Sequence, residues 1–142
     1  MYNVTAIGVL LIDFTQSGKS ANGVPLFEQN PGGAPANVLA AVARLGKRTS
    51  IIGKVGNNQF GCFLKSILNE ANINTSGLVF SKDTNTTLAF VHLDENGERS
   101  FSFYRNPGAD MMLTKEEIKF ELIDQTKILH FGSISLTHEI LV

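Results

Sequence analysis

The stretch from Asn30 to Gly61, NPGGAPANVLAAVARLGKRTSIIGKVGNNQFG, decides the fold. Pro35 occupies an early helical position and Gly46 follows the last apolar residue, which predicts a helix over Pro35 to Leu45. The β-branched run RTSIIGKV predicts a strand directly after it. Asn58 to Asn69 then predicts a second helix, because its apolar residues fall on one face.

Strands are predicted on both sides of this stretch. Val4 to Ile12 is a nearly unbroken apolar run, as in a strand that is buried on both faces. GLVF follows the second helix as a short strand, and TKILHFGSISLTHEILV predicts a strand, a short loop and the first turn of a helix. The alternation of strands and helices predicts an α/β fold in which helices flank a parallel sheet.

Two β-rich segments interrupt this alternation. TQSGKSANGV predicts a hairpin over residues 14–28, and residues 86–105 predict a second hairpin around Asp94-Glu95-Asn96-Gly97. Because the apolar residues of the second hairpin fall on both faces, we expect the hairpins to form a small second sheet that projects from the α/β body. The alternative is that they add two strands to the main sheet.

The composition bounds the partners of the chain. Its 142 residues are 43% hydrophobic and 18% charged, with a formal net charge of −1. This balance provides no basic surface for nucleic acid and no polybasic patch for a membrane. The single cysteine, Cys62, excludes a disulfide framework and favours a reducing, cytoplasmic compartment.

The glycine pair before the first helix is a candidate binding site. Gly32 and Gly33 permit positive φ angles and a close approach of a ligand to the main chain, and the free N–H groups of the helix point towards them. Asn37 lies in the first turn, where its amide can donate and accept hydrogen bonds. This arrangement suits a neutral, hydroxyl-rich ligand at least as well as a phosphate. A purely structural tight turn before an Ala-rich helix is the alternative.

Asp13 is the second candidate. It follows the first predicted strand, at the carboxyl edge where open α/β sheets bind ligands. A carboxylate there accepts strong hydrogen bonds from sugar hydroxyls, so we expect Asp13, the glycine pair and Asn37 to line one polyol pocket. A turn-stabilising role in the hairpin is the alternative. Gly18-Lys19-Ser20 matches the end of a phosphate-binding loop, but G-x-x-x-x-G-K-S/T requires a glycine where Asp13 stands.

These motifs, in order, identify a family resemblance. GVLLIDF, NPGGAPANVLAAVARLG and IIGKVGNNQFG resemble the N-terminal signature of the ribokinase-like (PfkB-type) sugar kinases. FSFYRNPGADMMLT and HFGSISLT are similar to the bacterial fructokinase branch. The resemblance implies that residues 1–142 are the N-terminal part of a single ribokinase-like αβα domain. It also implies that the two hairpins form a lid, which closes over the sugar and in many members forms a homodimer contact.

The resemblance implies seven substrate-binding positions. They are Asp13, Gly32, Gly33, Asn37, Ala89, Val91 and Arg105. Ala89 and Val91 match lid residues that touch the sugar, and Arg105 matches a position that reaches the substrate, with an ordinary surface arginine as the alternative. Two positions depart from the common pattern: many fructokinases have Glu at Val9, and many relatives have Asp at Asn58. Lys54, in the middle of a strand, is expected to be structural or to lie near the sugar.

The resemblance implies an ATP-dependent fructokinase that forms fructose 6-phosphate with ATP and Mg²⁺. The family motif D-T-x-G-A-G-D, which supplies the base and an anion hole, is absent, and PGAD at 107–110 lacks its D-T and second glycine. We therefore nominate no catalytic base and no metal ligand, and expect both in a C-terminal half of a longer parent enzyme. Ribokinase, 2-keto-3-deoxygluconate kinase, nucleoside kinase and a non-catalytic sugar-binding module are the alternatives.

Overall fold

The computed structural model describes residues 1–137. In chain order its strands and α-helices are β1 Tyr2–Ile7, β2 Leu11–Lys19, β3 Pro25–Gly32, α1 Ala34–Arg44, β4 Thr49–Gly56, α2 Gln59–Glu70, β5 Ile73–Ser81, β6 Thr87–Leu93, β7 Arg99–Tyr104, α3 Phe120–Asp124 and β8 Thr126–Phe131. They form two four-stranded sheets, ordered β5-β4-β1-β8 (the main sheet) and β3-β2-β6-β7 (the second sheet).

The main sheet is parallel throughout and covered on both faces. Helices α1 and α2 cover one face, where Leu39 and Leu64 pack against strand residues such as Ile51. On the other face, α3 and the 3₁₀ turns at 109–112 and 115–117 surround a smaller apolar cluster that contains Ile52 and Leu122. The predicted α/β fold with a parallel sheet flanked by helices is confirmed.

The two long helices begin within one residue of the predicted positions. α1 starts directly after Gly33 with Pro35 in its first turn, a position where the missing N–H of proline has no helical partner to lose. α2 starts after Asn58, whose Oδ1 accepts a 3.0 Å hydrogen bond from the N–H of Gly61. Asn58 is therefore the N-cap of α2. A methyl group at Gly61 would overlap the carbonyl of Gly56, so α2 packs closely against the end of β4.

Both predicted hairpins occur, and they share the second sheet. β2 and β3 are antiparallel, as are β6 and β7, while β2 and β6 run parallel and join the two hairpins. The first hairpin spans residues 11–32 and so is longer than the predicted 14–28. The alternative that these strands extend the main sheet is wrong.

The single strand predicted over Val4 to Ile12 is wrong. The chain leaves the main sheet after Ile7, passes through residues 8–10 and enters the second sheet at Leu11. Gly8 has a φ of 155°, and a side chain there would overlap Pro35. Because residues on both sides of the break are buried and apolar, the hydrophobic pattern does not reveal it.

Aromatic side chains join the second sheet to the body of the protein. Phe14 of β2 stacks on Phe90 of β6 with ring centroids 4.9 Å apart. Phe14 also makes an edge-to-face contact of 5.8 Å with Phe60 of α2, and Phe27 packs edge-on against Phe90. This face of the second sheet is thereby anchored to the first turn of α2.

The C-terminal part of the described chain follows the prediction as far as it can be traced. β8 is followed by Gly132 and a 3₁₀ turn at Ser133–Leu136. The rest of the predicted helical turn, residues 138–142, lies outside the described residues. Within residues 1–137, no helix has the length and apolar character that crossing a bilayer requires.

Candidate functional site

Asp13 lies inside the second sheet, not at the edge of the main sheet. Its register partners are Asn30 of β3 and Ala89 of β6. The side chain is half-buried, and within residues 1–137 its carboxylate has no hydrogen-bond partner from the protein. Burial raises the pKa of Asp13 above its ordinary value because the charged form loses solvation. Its oxygen lone pairs are therefore free for a ligand.

The glycine pair brings the main chain close to Asp13. A methyl group at Gly32 would overlap the Asp13 carboxylate and the side chain of Leu11, so only glycine leaves room for the carboxylate here. Gly33 has a φ of 114°, and a methyl group there would overlap the carbonyl of Val9. Only Gly33 therefore has the predicted positive φ, while Gly32 is needed for space.

Asn37 occupies the first turn of α1, as predicted. Its backbone N–H donates to the Gly33 carbonyl at 3.1 Å, and its side chain is exposed, with no hydrogen-bond partner within residues 1–137. Gly32 and Asn37 line a cavity of about 60 Å³ between α1 and α2, whose walls include Leu64 and Leu68. This volume is far below the ~300 Å³ of a typical small-molecule pocket.

Ala89 and Val91 share a face of the second sheet with Asp13. Register partners in a sheet point to the same side, and Asp13 pairs with Ala89 while Thr15 pairs with Val91. Ala89 is 1% exposed and Val91 is 8% exposed. The structure thus brings Asp13, Gly32, Ala89 and Val91 together at one face of the second sheet.

Arg105 lies at a different cleft, of about 550 Å³. The cleft lies between the 83–86 loop and the end of β7, and it is lined by Asp83, Thr84, Asn85, Thr86, Leu88, Phe103, Tyr104, Arg105, Asn106 and Pro107. The other six predicted positions do not line it. The predicted single polyol pocket is therefore divided among the face that carries Asp13, the small cavity and this cleft.

The structure adds Asp110 and Thr87, which the sequence analysis does not predict as site residues. Asp110, whose side chain is 1% exposed, accepts hydrogen bonds from Arg105 Nε at 2.9 Å and Nη2 at 2.7 Å, both at Oδ2. Its Oδ1 accepts a hydrogen bond from the hydroxyl of Thr87. The sequence signal for Asp110 is a lone aspartate in the apolar run ADMML.

Lys54 has a structural role. Its Nζ donates to both carboxylate oxygens of Glu117, at 2.7 and 2.9 Å, and to the carbonyl of Met112 at 3.0 Å. Desolvation opposes ionisation of Glu117, but hydrogen bonds from Lys54 and Thr114 outweigh it, and the pKa of Glu117 lies below its ordinary value. With its three hydrogens used in this way, Lys54 is not available to a substrate.

The described residues do not form a site for Mg²⁺. Among residues 1–137 there is no group of three or more histidine, cysteine, aspartate or glutamate side chains placed to hold a metal ion. Mg²⁺ requires oxygen ligands, commonly carboxylates together with substrate phosphates. The carboxylates of Asp110 and Glu117 are already paired with cations.

Known proteins with the same features are kinases. The family model "pfkB family carbohydrate kinase" matches residues 1–141. A relative from Arabidopsis thaliana, "Probable fructokinase-6, chloroplastic", is 51% identical over 138 residues, which are 96% of this chain and 36% of that protein. The crystal structure of fructokinase from Xylella fastidiosa superposes with a TM-score of 0.91 at 39% identity, covering 99% of this chain and 44% of that one. A second structure of the Xylella enzyme, with bound ATP, superposes with a TM-score of 0.88 at 39% identity, covering 99% of this chain and 42% of that one.

These matches have one further property in common: the chain spans about two fifths of the length of the proteins that it matches. The matched part includes both sheets, α1, α2 and all seven predicted binding positions. The family resemblance of the motifs is therefore confirmed, and the chain belongs to the pfkB family of carbohydrate kinases.

Proposed function

We propose that this chain carries the sugar-binding part of an ATP-dependent fructokinase, which transfers the γ-phosphoryl group of ATP to fructose and forms fructose 6-phosphate. The observation that carries the proposal is the Asp13 carboxylate, half-buried and without a protein partner in the described residues, beside a glycine that only fits without a side chain. A desolvated carboxylate of this kind is stabilised by two or more hydroxyl donors, which a sugar supplies.

The fructokinase names of the curated relatives support fructose as the sugar. Asp13 orients the substrate by accepting hydrogen bonds from its hydroxyls, while Ala89 and Val91 provide an apolar floor beside it. ATP, held with Mg²⁺ by residues beyond the described ones, supplies the phosphoryl group. The described residues therefore bind and orient the sugar, and none of them is assigned as the base.

We extend the proposal to assembly and location. The second sheet has two edge strands, β3 and β7, and its β7 carries the exposed side chains of Phe101 and Phe103, 54% and 62% exposed. These features support a homodimer that forms through the second sheet. The lone Cys62 supports a cytoplasmic location. Light scattering and cell fractionation test these two points.

The test of the proposed function is fructose-dependent ADP release by the full-length gene product, with Asp13→Asn as the variant. Two hydrogen bonds to a carboxylate contribute about 3 kcal/mol together, so we expect kcat/KM to fall about 100-fold or more. Asp124→Asn, which removes an exposed carboxylate from the end of α3, is the matched control and should keep wild-type activity. Full activity of Asp13→Asn would contradict the assigned role.

A substrate panel separates the remaining alternatives within the family. Fructose, ribose, 2-keto-3-deoxygluconate and adenosine are compared by kcat/KM with the same protein. We expect fructose to rank first, and another compound in first place would replace the substrate assignment while leaving the family unchanged. A protein that binds fructose in calorimetry but turns over none of the panel would be a sugar-binding module instead.

A further inference from the structure

The pair formed by Arg105 and Asp110 has features that the proposed function does not yet use. Asp110 is almost fully buried, and its two oxygens are fully engaged: Oδ2 by Arg105 and Oδ1 by Thr87. Arg105 remains 18% exposed and lines the 550 Å³ cleft. The guanidinium has five N–H donors, of which Asp110 takes two, so the remaining donors on Nη1 and Nη2 are available to a ligand.

The surrounding chain holds this pair in place. Gly108 lies against Thr87 and Asp110, and a methyl group there would overlap the Thr87 hydroxyl. The N–H of Ala109 donates to the Asn85 carbonyl at 2.8 Å, which ties the turn to the loop on the other side of the cleft. Asp110 is therefore fixed by contacts from three sides, and it fixes Arg105 in turn.

The pair also lies on the same side of the second sheet as Asp13. Thr87 pairs with Leu11, and Ala89 pairs with Asp13, so Thr87 and Asp13 point to the same face. Thr87 is two residues from Ala89 along β6, or about 7 Å at the rise of a β-strand. Because Thr87 donates to Asp110, the Asp110 carboxylate is attached to the face of the second sheet that carries Asp13.

The charged residues at the cleft do not favour an anionic ligand. Asp83 and Arg105 are the two charged residues that line the cleft. The ion pair with the buried Asp110 neutralises the charge of Arg105. A carboxylate on the ligand would meet no unpaired cation there, because Asp110 already neutralises Arg105 and the exposed Asp83 adds a charge of the same sign as the ligand. Neutral hydroxyl groups lose nothing by this balance, because they need only donors and acceptors.

We infer that Asp110 is a positioning residue that sets substrate specificity: it orients Arg105 and cancels its charge, so that the site accepts a neutral sugar and rejects a sugar acid. The inference rests on the proposed function, because it specifies which substrates the same site takes. Rejection of the competitor through an unfavourable charge is a common route to specificity. Arg105 touches the substrate, and Asp110 acts through Arg105.

The first test compares wild type and Asp110→Asn in the full-length gene product, with fructose and 2-keto-3-deoxygluconate as substrates. Without the aspartate, Arg105 is uncompensated and less well oriented. We expect kcat/KM for fructose to fall about tenfold through KM, and the acid-to-fructose ratio of kcat/KM to rise at least about tenfold, less so at high salt. Asp124→Asn is the control for net charge and should leave the ratio unchanged. A ratio in Asp110→Asn that stays at the wild-type value overturns the inference.

A charge-balanced variant covers the case in which Asp110→Asn fails to fold. Arg105→Gln with Asp110→Asn replaces the ion pair by two neutral amides, so no buried charge is left alone. We expect lower kcat/KM for fructose but an acid-to-fructose ratio close to wild type, because the wild-type pair is already neutral. A large fall of the ratio in this double variant would mean that the charge of Arg105 attracts acids in the wild type, which contradicts the inference.

Failure of the inference is distinct from failure of the proposed function. If wild type prefers the sugar acid, the inference is wrong and the kinase assignment stands. If wild type turns over neither compound, the proposed function is wrong. Calorimetric binding of fructose and gluconate to wild type and both variants then gives the same ratio without turnover, with the same expected and contradicting outcomes.

Discussion

At the scale of single residues, the binding role proposed for Asp13 comes with a cost in stability. Folding raises its pKa above 3.8 because burial disfavours the charged form. The folded state therefore binds the proton more tightly than the unfolded state does. The contribution of Asp13 to stability is most favourable below its ordinary pKa and declines as the pH rises through the raised one.

This predicts an inverse effect of Asp13→Asn on stability and binding. At pH 7 the variant should melt at a higher temperature than wild type, and the difference should shrink as the pH falls below 4. Fructose at 100 times the wild-type Kd should stabilise wild type by about 2.7 kcal/mol and a variant that binds about 100-fold more weakly by only about 0.4 kcal/mol. Thermal melts across pH, with and without fructose, measure both effects. A variant that is less stable than wild type at pH 7 would contradict the desolvation argument.

How far the sequence predicts individual site residues depends on what holds them. The positive φ predicted for the glycine pair occurs at Gly33 but not at Gly32, where glycine is needed because Leu11 and Asp13 across the hairpin leave no space for a side chain. The positions of Asn37 and Arg105 depend on how α2 and the 109–112 turn pack, which is set by distant parts of the chain. Local sequence patterns do not predict such long-range contacts.

At the scale of elements, one ion pair holds the two 3₁₀ turns at 109–112 and 115–117 against the main sheet. Lys54 of β4 reaches Glu117 and Met112, and these bonds hold the segment between the two 3₁₀ turns against the sheet. The pair is largely buried, with side chains 11% and 29% exposed. Hydrogen bonds between charged groups in such a setting contribute more than surface pairs.

Lys54→Met should therefore lower the free energy of unfolding by about 2 kcal/mol at pH 7. Because the pKa of Glu117 is lowered in the folded state, its contribution is present above about 4.5 and is lost as the pH falls through the folded value. The difference between wild type and variant should accordingly shrink at pH 3. Urea unfolding at both pH values measures it, with the exposed Lys47→Met as control. A loss that is equal at both pH values would assign the effect to packing alone.

The elements themselves show where sequence patterns suffice. Helix α2 begins one residue after the predicted start, and the prediction is this close because the Asn58 cap is a local interaction. The predicted first strand is wrong because an apolar run has the same appearance whether it stays in one sheet or crosses into another. Gly8 is the only local sign of the crossing, and a glycine in a strand has several other meanings.

At the scale of the whole molecule, β8 is the least covered part of the main sheet. It is an edge strand within the described residues, and Ile128, Leu129 and Phe131 are 60%, 39% and 56% exposed. Edge strands with exposed apolar side chains pair readily with other chains. The apolar residues of the other three main-sheet strands lie under the helices.

The 142-residue chain, expressed by itself, should therefore bind a hydrophobic dye and self-associate through β8. Ile128→Lys with Phe131→Lys should reduce dye fluorescence and light scattering severalfold. Phe101→Lys with Phe103→Lys, on β7 of the second sheet, is the matched comparison and should have the smaller effect on association of this chain. Equal effects of the two double variants on dye fluorescence and light scattering would show that β8 is not the main surface through which the chain self-associates.

The short connections around the first hairpin have a mechanical consequence. β2 leaves β1 through three residues, and β3 runs straight into α1 at Gly33, which rests against the carbonyl of Val9. The two ends of the hairpin therefore lie side by side at its base. Along β2, Asp13 lies only about 10 Å from this base and Lys19, at the other end of the strand, about 30 Å from it. Any rotation of the hairpin about its base would therefore displace Lys19 roughly three times as far as the Asp13 carboxylate. Under the proposed function, the carboxylate that binds the sugar would therefore keep its position more closely than the tip of the hairpin when the hairpin rotates.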